Sequence, residues 1–503
     1  MPVIGGLGHS APPTPRIARA REGAFDMTNY QPSDAVRRIR AGLEHPIIDS
    51  DGHLIEFLPL VRDLLVDLAG ESVAQRFDFL VESGKTIQGV SDEIRKRHRI
   101  TQTPWWGIPT RNTLDRATAM LPRLLYERLD ELGLDVAVLY PTYGLIPIHI
   151  NDEELRRAMA AAFNAYLAEQ YAPYCDRLIP VACIPTFTPE EAVAELEHAV
   201  VDLGLRAVMM GGAVPRPLPE GGPGAIWMDG LGHGSLYDYD PLWRRCAELG
   251  VSPTFHSTGS GWGSRMSTNN FVYNHIGNFA AAGELTARSL LMGGVPLRFP
   301  ELRFAFQEGG TAWACNLYSD VIGHWEKRNA EAVRRYDPSE LDRGMLASLF
   351  DEFSEDSVRE RLSRLDEGLN LLSEPMVEGE SVDDFAESLI GSPKDIRHVF
   401  SRQYFFGCEA DDPMAAVAFD ERLNPLGARI PALFASDIGH WDVPDFRGVL
   451  EEAWELVEHG LLDPEGFRQF TFANPVRLWA GTNPKFFEGT RVEDAVREEL
   501  TRL

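Results

Sequence analysis

Eight short apolar runs, separated by amphipathic stretches, organise this chain from residue 46 onward: PIID (46–49), DVAVLYPT (135–142), LIPVACIPT (178–186), LRAVMMGG (205–212), VSPTFH (251–256), LRFAFQEGG (302–310), YFFGCEA (404–410) and IPALFASD (430–437). Strands that alternate with helices pair in parallel, so the pattern predicts an α/β fold. Eight such units favour closure into a (β/α)8 TIM barrel, the alternative being a seven-stranded or open sheet if YFFGCEA is not a strand. The intervening segments carry helix punctuation. Thr188, Pro189 and Glu191 form a capping-box start, Val193, Leu196, Val200 and Leu203 share one face, and Gly204 is the stop. DPLWRRCAELG repeats this grammar, with Asp240 as cap and Pro241 in the first turn.

With 503 residues, the chain is longer than one compact core needs, so the barrel carries insertions. Two stretches are too long to be simple connections: about 57–115 after the first strand and about 326–400 after the sixth. Residues 1–45, rich in Pro and Gly at the start, read as an N-terminal arm, 46–490 as the barrel domain and 491–503 as a tail. The first insertion contains TPWWGIPTRN, a loop suited to roofing the barrel mouth and presenting Trp105 and Trp106 to substrate, although packing is an equal reading for either ring. The second, with SEDSVRERLSRLDEGLNLL, reads as surface helices and offers a face for a homodimer.

Charge and cysteine content exclude several function classes. Lys and Arg total 48 against 76 Asp and Glu, a net charge of -28 that repels nucleic acid and anionic membranes. Five scattered cysteines without CxxC spacing give neither a disulfide framework nor a zinc ribbon. The first 25 residues hold no apolar core of signal-peptide length, and no run approaches the ~20 apolar residues of a membrane span. The expectation is a cytoplasmic protein. No phosphate-binding loop is present; GSGWGS (259–264) has the glycines without the strand-to-helix context.

In a barrel of this kind, chemistry sits where strands end at the C-terminal face. The first strand ends in Asp49, Asp51 and His53, the fifth in His256, the sixth in Gln307 and Glu308, and the eighth in Asp437. Residues two apart on a strand point the same way, so Asp51 and His53 can ligate one ion together. Singly, each residue is as readily a turn former, a cap partner or a buried hydrogen-bonded group. Jointly, four strand ends supplying compatible ligands point to a metal. Carboxylate and imidazole without thiolate suit an open catalytic site for Zn, Fe or Mn, with one or two ions per chain. His440 and His275 are further candidate acids or bases, Arg265 a candidate clamp for a substrate carboxylate or phosphate, and His324, inside a helical run, a structural residue.

IIDSDGHLIE, the His256 strand, FQEGGTAWACNLYSDVIGHWEKR and FASDIGHWD resemble the amidohydrolase-2 branch of the amidohydrolase superfamily, the group of aminocarboxymuconate-semialdehyde decarboxylase and γ-resorcylate decarboxylase. The resemblance runs from about residue 46 to ANPVRLWAGTNP near the end. It implies His256 and Asp437 as ligands of the fifth and eighth strands, with Asp437 also taking a proton from activated water. Asp51 and His53 stand where the family has HxH or ExH. Two departures follow. Glu308 replaces the catalytic histidine that the decarboxylases carry before the glycine pair, and an acid of this kind serves only if burial raises its pKa; it is equally an extra ligand. The fourth strand has no lysine, so the lysine-carbamate bridge of binuclear members is missing. These features predict a metal-dependent hydrolase acting on an amide, ester, thioester or C–C bond of a small organic acid or its derivative. The alternatives are a non-oxidative decarboxylase of an aromatic or unsaturated acid and a metal-free binding or scaffold barrel.

Overall fold

A computed structural model describes residues 30–102, 111–218, 220–222, 225–259, 261–373 and 383–502. All eight expected strands form: β1 (Ile48–Leu54), β2 (Val136–Pro141), β3 (Leu178–Ile184), β4 (Ala207–Met210), β5 (Pro253–Phe255), β6 (Phe304–Phe306), β7 (Tyr404–Glu409) and β8 (Ala432–Ala435). They lie in one sheet in sequence order, every neighbouring pair parallel. Side chains fill the inside and helices cover the outside. The strands are therefore buried on both faces and read as continuous apolar runs rather than alternating ones.

The sheet closes between β8 and β1 through individual hydrogen bonds. Asp437 N donates to Asp51 O at 3.0 Å and His53 N to Ile438 O at 2.7 Å. Beneath them the buried Asp49 carboxylate accepts from Ser436 N (2.9 Å) and Ser436 Oγ (2.6 Å). To make room, β1 is irregular: its register against β2 shifts between Asp49 and Gly52. Gly52 is required there, because a Cβ would stand 2.7 Å from Asp49 Oδ2 and 3.1 Å from Leu139.

The helices follow the expected grammar with two local differences. Thr188 Oγ1 accepts from Glu191 N at 3.1 Å, starting the helix Pro189–Glu197. The Glu191 carboxylate, however, binds Arg156 (2.6 and 2.7 Å) instead of reaching back, because a buried guanidinium is the stronger partner. The buried face centres on Ala192, Leu196 and Ala199, with Val193, Val200 and Leu203 at its half-buried edges. Asp240 is the first helical residue rather than the cap, which is Tyr239, and its carboxylate holds Arg298.

The first long insertion contains the helices Leu58–Ala69, Glu71–Gln88 and Asp92–His98; Trp105 and Trp106 lie outside the described residues. The second begins later than 326, because Ala312–Arg328 is the crossover helix after β6. Within it, Arg343–Phe353 buries no residue, as expected of a surface helix. His324 sits on the exposed side of the crossover helix, its Nδ1 2.6 Å from Asp320 O, far from any cluster. In the arm, Asp34–Ala41 is a helix whose Val36 and Ile39 are buried, packed against the helix Val449–Glu458. An antiparallel hairpin after β4, Val214–Pro217 with Ile226–Asp229, has no counterpart in the strand pattern read from sequence. No helix of the described residues is long and apolar enough to cross a membrane.

If the Asp49–Ser436 link holds the seam, Asp49→Ala leaves Ser436 N buried without an acceptor and costs about 2–4 kcal/mol in urea unfolding. A loss below about 0.5 kcal/mol would mean that the backbone bonds alone close the barrel.

Candidate functional site

The seam places β1 and β8 so that their polar residues meet those of β5 and β6. Asp51, His53, His256, Glu308, Asp437 and His440 are all 9% exposed or less. His53 Nε2 and His256 Nε2 face each other at 3.2 Å. Around them, Asp51 Oδ1 and Asp437 Oδ1 stand 3.6 Å from His53 Nε2, and Glu308 Oε2 is 2.9 Å from His256 Nε2 and 3.8 Å from His53 Nε2. Two overlapping groups of donor atoms converge within 4.8 Å: Asp51, His53 and His256, and His53, Glu308, Asp437 and His440. His440 stacks on His53 with centroids 3.6 Å apart and sets Nδ1 2.7 Å from Asp437 Oδ1.

Both Asp51 oxygens and Glu308 Oε2 are buried without a hydrogen-bond partner. A carboxylate in that condition is costly unless a cation enters, so the donor set fits a divalent ion held by oxygen and imidazole nitrogen. Burial and neighbouring acids hold Asp51, Glu308 and Asp437 well above the ordinary carboxylate range; Glu308 and Asp442 add to burial at Asp437, and Asp442 at Glu308. Burial keeps His53, His256 and His440 below the usual histidine value, so each offers a lone pair rather than a charge.

Below this layer a hydrogen-bonded floor fixes the strands. Gln307 Nε2 donates to Ser50 O (3.1 Å) and Tyr140 Oη (2.9 Å), Tyr140 Oη to Thr254 Oγ1 (2.8 Å), and Thr254 Oγ1 to Val208 O (2.8 Å). Gln307 and Asp49, both strand-end polar residues, thus serve the frame. Above it, Glu308 (φ 57°) and Asp437 (φ 49°) both hold left-handed backbone, unusual for residues with a side chain and worth roughly 1–2 kcal/mol each. Gly439 (φ 100°) allows close passage, since a Cβ would meet His53 O at 2.7 Å.

A cavity of about 390 Å³ opens from Glu308 toward solvent. His275 lines it, half-buried, as do Glu409 at the end of β7 and Asp411 and Asp412 from the loop that follows. Arg265 lies at its rim: Nε donates to Ile276 O at 3.2 Å, and the guanidinium rests on Gly277. Four participants were not singled out from sequence. His149, after β2, is near enough to His256 to be held down to about 4, mainly by burial. Asp442 interacts with Glu308, Asp437 and Glu409, and Glu409 is pushed up to about 8 by burial and then by Glu308 and Asp442. Asp412, also pushed up by burial, is the fourth. Their only sequence signal is position: Glu409 closes the run YFFGCEA, and His149, Asp412 and Asp442 lie in the segments that follow barrel strands.

Residues 125–364 match the family Amidohydro_2, described as amidohydrolase. Among solved structures, the chain is similar to an amidohydrolase from Mycobacterium avium subsp. paratuberculosis K-10 (18% identity, TM-score 0.47, 73% of this chain and 75% of that one). It is also similar to 5-carboxyvanillate decarboxylase from Sphingomonas paucimobilis (14%, 0.46, 86% and 98%). A third is 5-carboxyvanillate decarboxylase from Novosphingobium aromaticivorans DSM 12444, solved with manganese and 4-hydroxy-3-methoxy-5-nitrobenzoic acid (12%, 0.47, 90% and 99%). The matched segment 125–364 carries β2 to β6 and with them His256 and Glu308, so the likeness to Amidohydro_2 covers part of the donor cluster.

Proposed function

We propose that the chain is a metal-dependent hydrolase that directs water at the carbonyl carbon of a small amide, ester or thioester. The observation that carries this reading is the cavity beside the ligands, lined by Glu308, Glu409, Asp411 and Asp412 with no lysine or arginine among its lining residues. A decarboxylase substrate must bring a carboxylate to the ion, past these acids. A neutral or cationic acyl compound meets no such repulsion.

Asp51, His53, His256 and Asp437 would hold the ion, and His440 orients Asp437 through the 2.7 Å contact. A divalent ion there supplies polarisation of a carbonyl and a lowered pKa for water. Asp437 is the buried carboxylate placed to take the proton from that water, and His440 Nδ1, beside its Oδ1, is placed to receive it. Glu308, on the cavity side of His256, has its carboxyl raised well above the ordinary range by burial, which suits a group that would give a proton to a leaving group in the cavity. The electron pair of the broken bond goes to the leaving nitrogen, oxygen or sulfur, and Glu308 provides its proton.

Elemental analysis of protein purified without added metal is expected to show about one Zn, Fe or Mn per chain, lost in His256→Ala and kept in Glu308→Gln. Protein that purifies metal-free and gains nothing from added metal would support a binding barrel instead. Against a panel of amides, esters and thioesters, Glu308→Gln is expected to lower kcat about 10²- to 10³-fold with metal retained. Release of CO2 from hydroxybenzoates, with no hydrolysis in the panel, would overturn the hydrolase reading in favour of decarboxylation.

A further inference from the structure

Buried carboxylates in this molecule have partners almost everywhere. Asp115 and Glu131 share Arg128, Glu191 pairs with Arg156, Asp229 with Arg216 and Glu499 with Arg468. Glu56 accepts from Tyr143 N and Gly144 N, and Asp49 from Ser436. A group of acids at the barrel mouth differs in lacking a basic partner: Glu308 is buried, Glu409, Asp412 and Asp442 are half-buried, Asp411 is exposed, and Asp412 accepts from Met414 N at 2.9 Å. Among the described residues, Glu308, Glu409, Asp411, Asp412 and Asp442 form no ion pair with any lysine or arginine, although Glu308, Asp411, Asp412 and Asp442 all act electrostatically on Glu409.

One divalent ion on Asp51, His53, His256 and Asp437 offsets two carboxylates, Asp51 and Asp437. Glu308, Glu409, Asp411 and Asp412 remain around the cavity of about 390 Å³. Glu308 stands at the junction, more than nine-tenths buried: the residue lines the cavity, while its Oε2, without a hydrogen-bond partner, lies 2.9 Å from His256 Nε2. A second bare divalent ion does not suit this space. Such an ion needs oxygens about 2.0–2.6 Å from one point, and among the described residues neither Glu409, Asp411 nor Asp412 joins any group whose donor atoms converge within 4.8 Å. The space is instead of a size for a small organic group, and Phe279, Ala280 and Pro413 give it apolar wall.

We propose that this cavity is a subsite for a cationic group of the substrate, an ammonium, amidinium or guanidinium, held beside the bond to be broken. The inference rests on the hydrolase reading and narrows it to acyl compounds whose leaving or acyl portion carries a positive charge. Glu409 at the end of β7 and Asp411 and Asp412 in the loop after it supply the attraction. Glu308 faces both the ion and this group, so it links substrate recognition to the reacting atoms. His275 and the ring of Phe279 close the sides, leaving the charged end in contact with oxygen and the remainder with carbon.

The test uses metal-loaded full-length protein and three probes of nearly equal shape: benzamidine, benzamide and benzoate, titrated by calorimetry, with metal content measured on the same samples. Benzamidine is expected to bind about tenfold or more tighter than benzamide and benzoate weakest, a preference that shrinks with added salt. Glu409→Gln and Asp412→Asn should each reduce benzamidine affinity about fivefold without changing the metal content. Unfolding midpoints of both variants identify any that fail to fold, and the wild-type ranking stands independently of them. Equal binding of the three probes, no benzamidine binding, or tightest binding of benzoate would overturn the subsite while leaving the metal result intact. Loss of an ion in Glu409→Gln would overturn it by making that acid a metal ligand. Metal-free wild-type protein would instead overturn the hydrolase reading itself.

Discussion

The link between Asp49 and Ser436 decides where the donor atoms of this protein can be. A parallel barrel is closed only when its last strand pairs with its first, and here that pairing is carried by a few bonds around a shifted stretch of β1. The Asp49 carboxylate binds both the amide and the hydroxyl of Ser436, setting Asp437 one residue further on. Asp437 N then returns to Asp51 O, so the two carboxylates are tied through their backbones. Each is buried and each is acted on by Glu308, and burial of acids without a counter-charge is costly.

That constraint accounts for the odd backbone of the site. Glu308 and Asp437 both occupy left-handed conformations that a glycine would adopt at lower cost. In each case the following chain turns sharply away through glycines, Gly309 and Gly310 after Glu308 and Gly439 after Ile438. A strand end of normal backbone would send the side chain along the barrel wall. The left-handed turn instead keeps each carboxyl over the imidazoles of His53 and His256. The floor of Gln307, Tyr140 and Thr254 prevents the strands beneath from relaxing to meet it.

Much of this was legible in the sequence because strand ends are recorded there directly. Each β-strand is an apolar run, and the polar residues that close the runs were collected as candidates; of these, Asp51, His53, His256, Glu308 and Asp437 come together in the fold, while Asp49 and Gln307 do not join them. Even β7, whose run contains a glycine and a cysteine, forms because Tyr404, Phe405 and Phe406 are buried on both faces. What was not legible depends on loop paths. His149, Asp412 and Asp442 follow strands too, but only the folded loops aim them inward; Glu409 closes β7 and was passed over among the polar residues ending the runs. The roles of Asp49 and Gln307 were hidden for a related reason: a polar strand residue serves the frame or the chemistry according to which neighbours reach it, and those come from positions hundreds of residues away. Arg156 likewise took Glu191 from its capping role across 35 positions of sequence.

The contrast between paired and unpaired acids joins these observations. A chain with a charge of -28 must place its acids either in water, where screening makes them nearly free of cost, or beside a partner. Its buried arginines show that the fold supplies partners wherever an acid serves structure. At the barrel mouth, among the described residues, it supplies no lysine or arginine to Glu308, Glu409, Asp411, Asp412 or Asp442, and it adds backbone strain at Glu308 and Asp437. Such an arrangement lowers the stability of the empty site, and that deficit is returned when positive charge arrives. The acids fall into an inner set at the imidazoles and an outer set around the cavity. Under the proposed reading an ion would offset the inner set, above the floor of Gln307, Tyr140 and Thr254, and leave the outer set facing the charged end of a ligand.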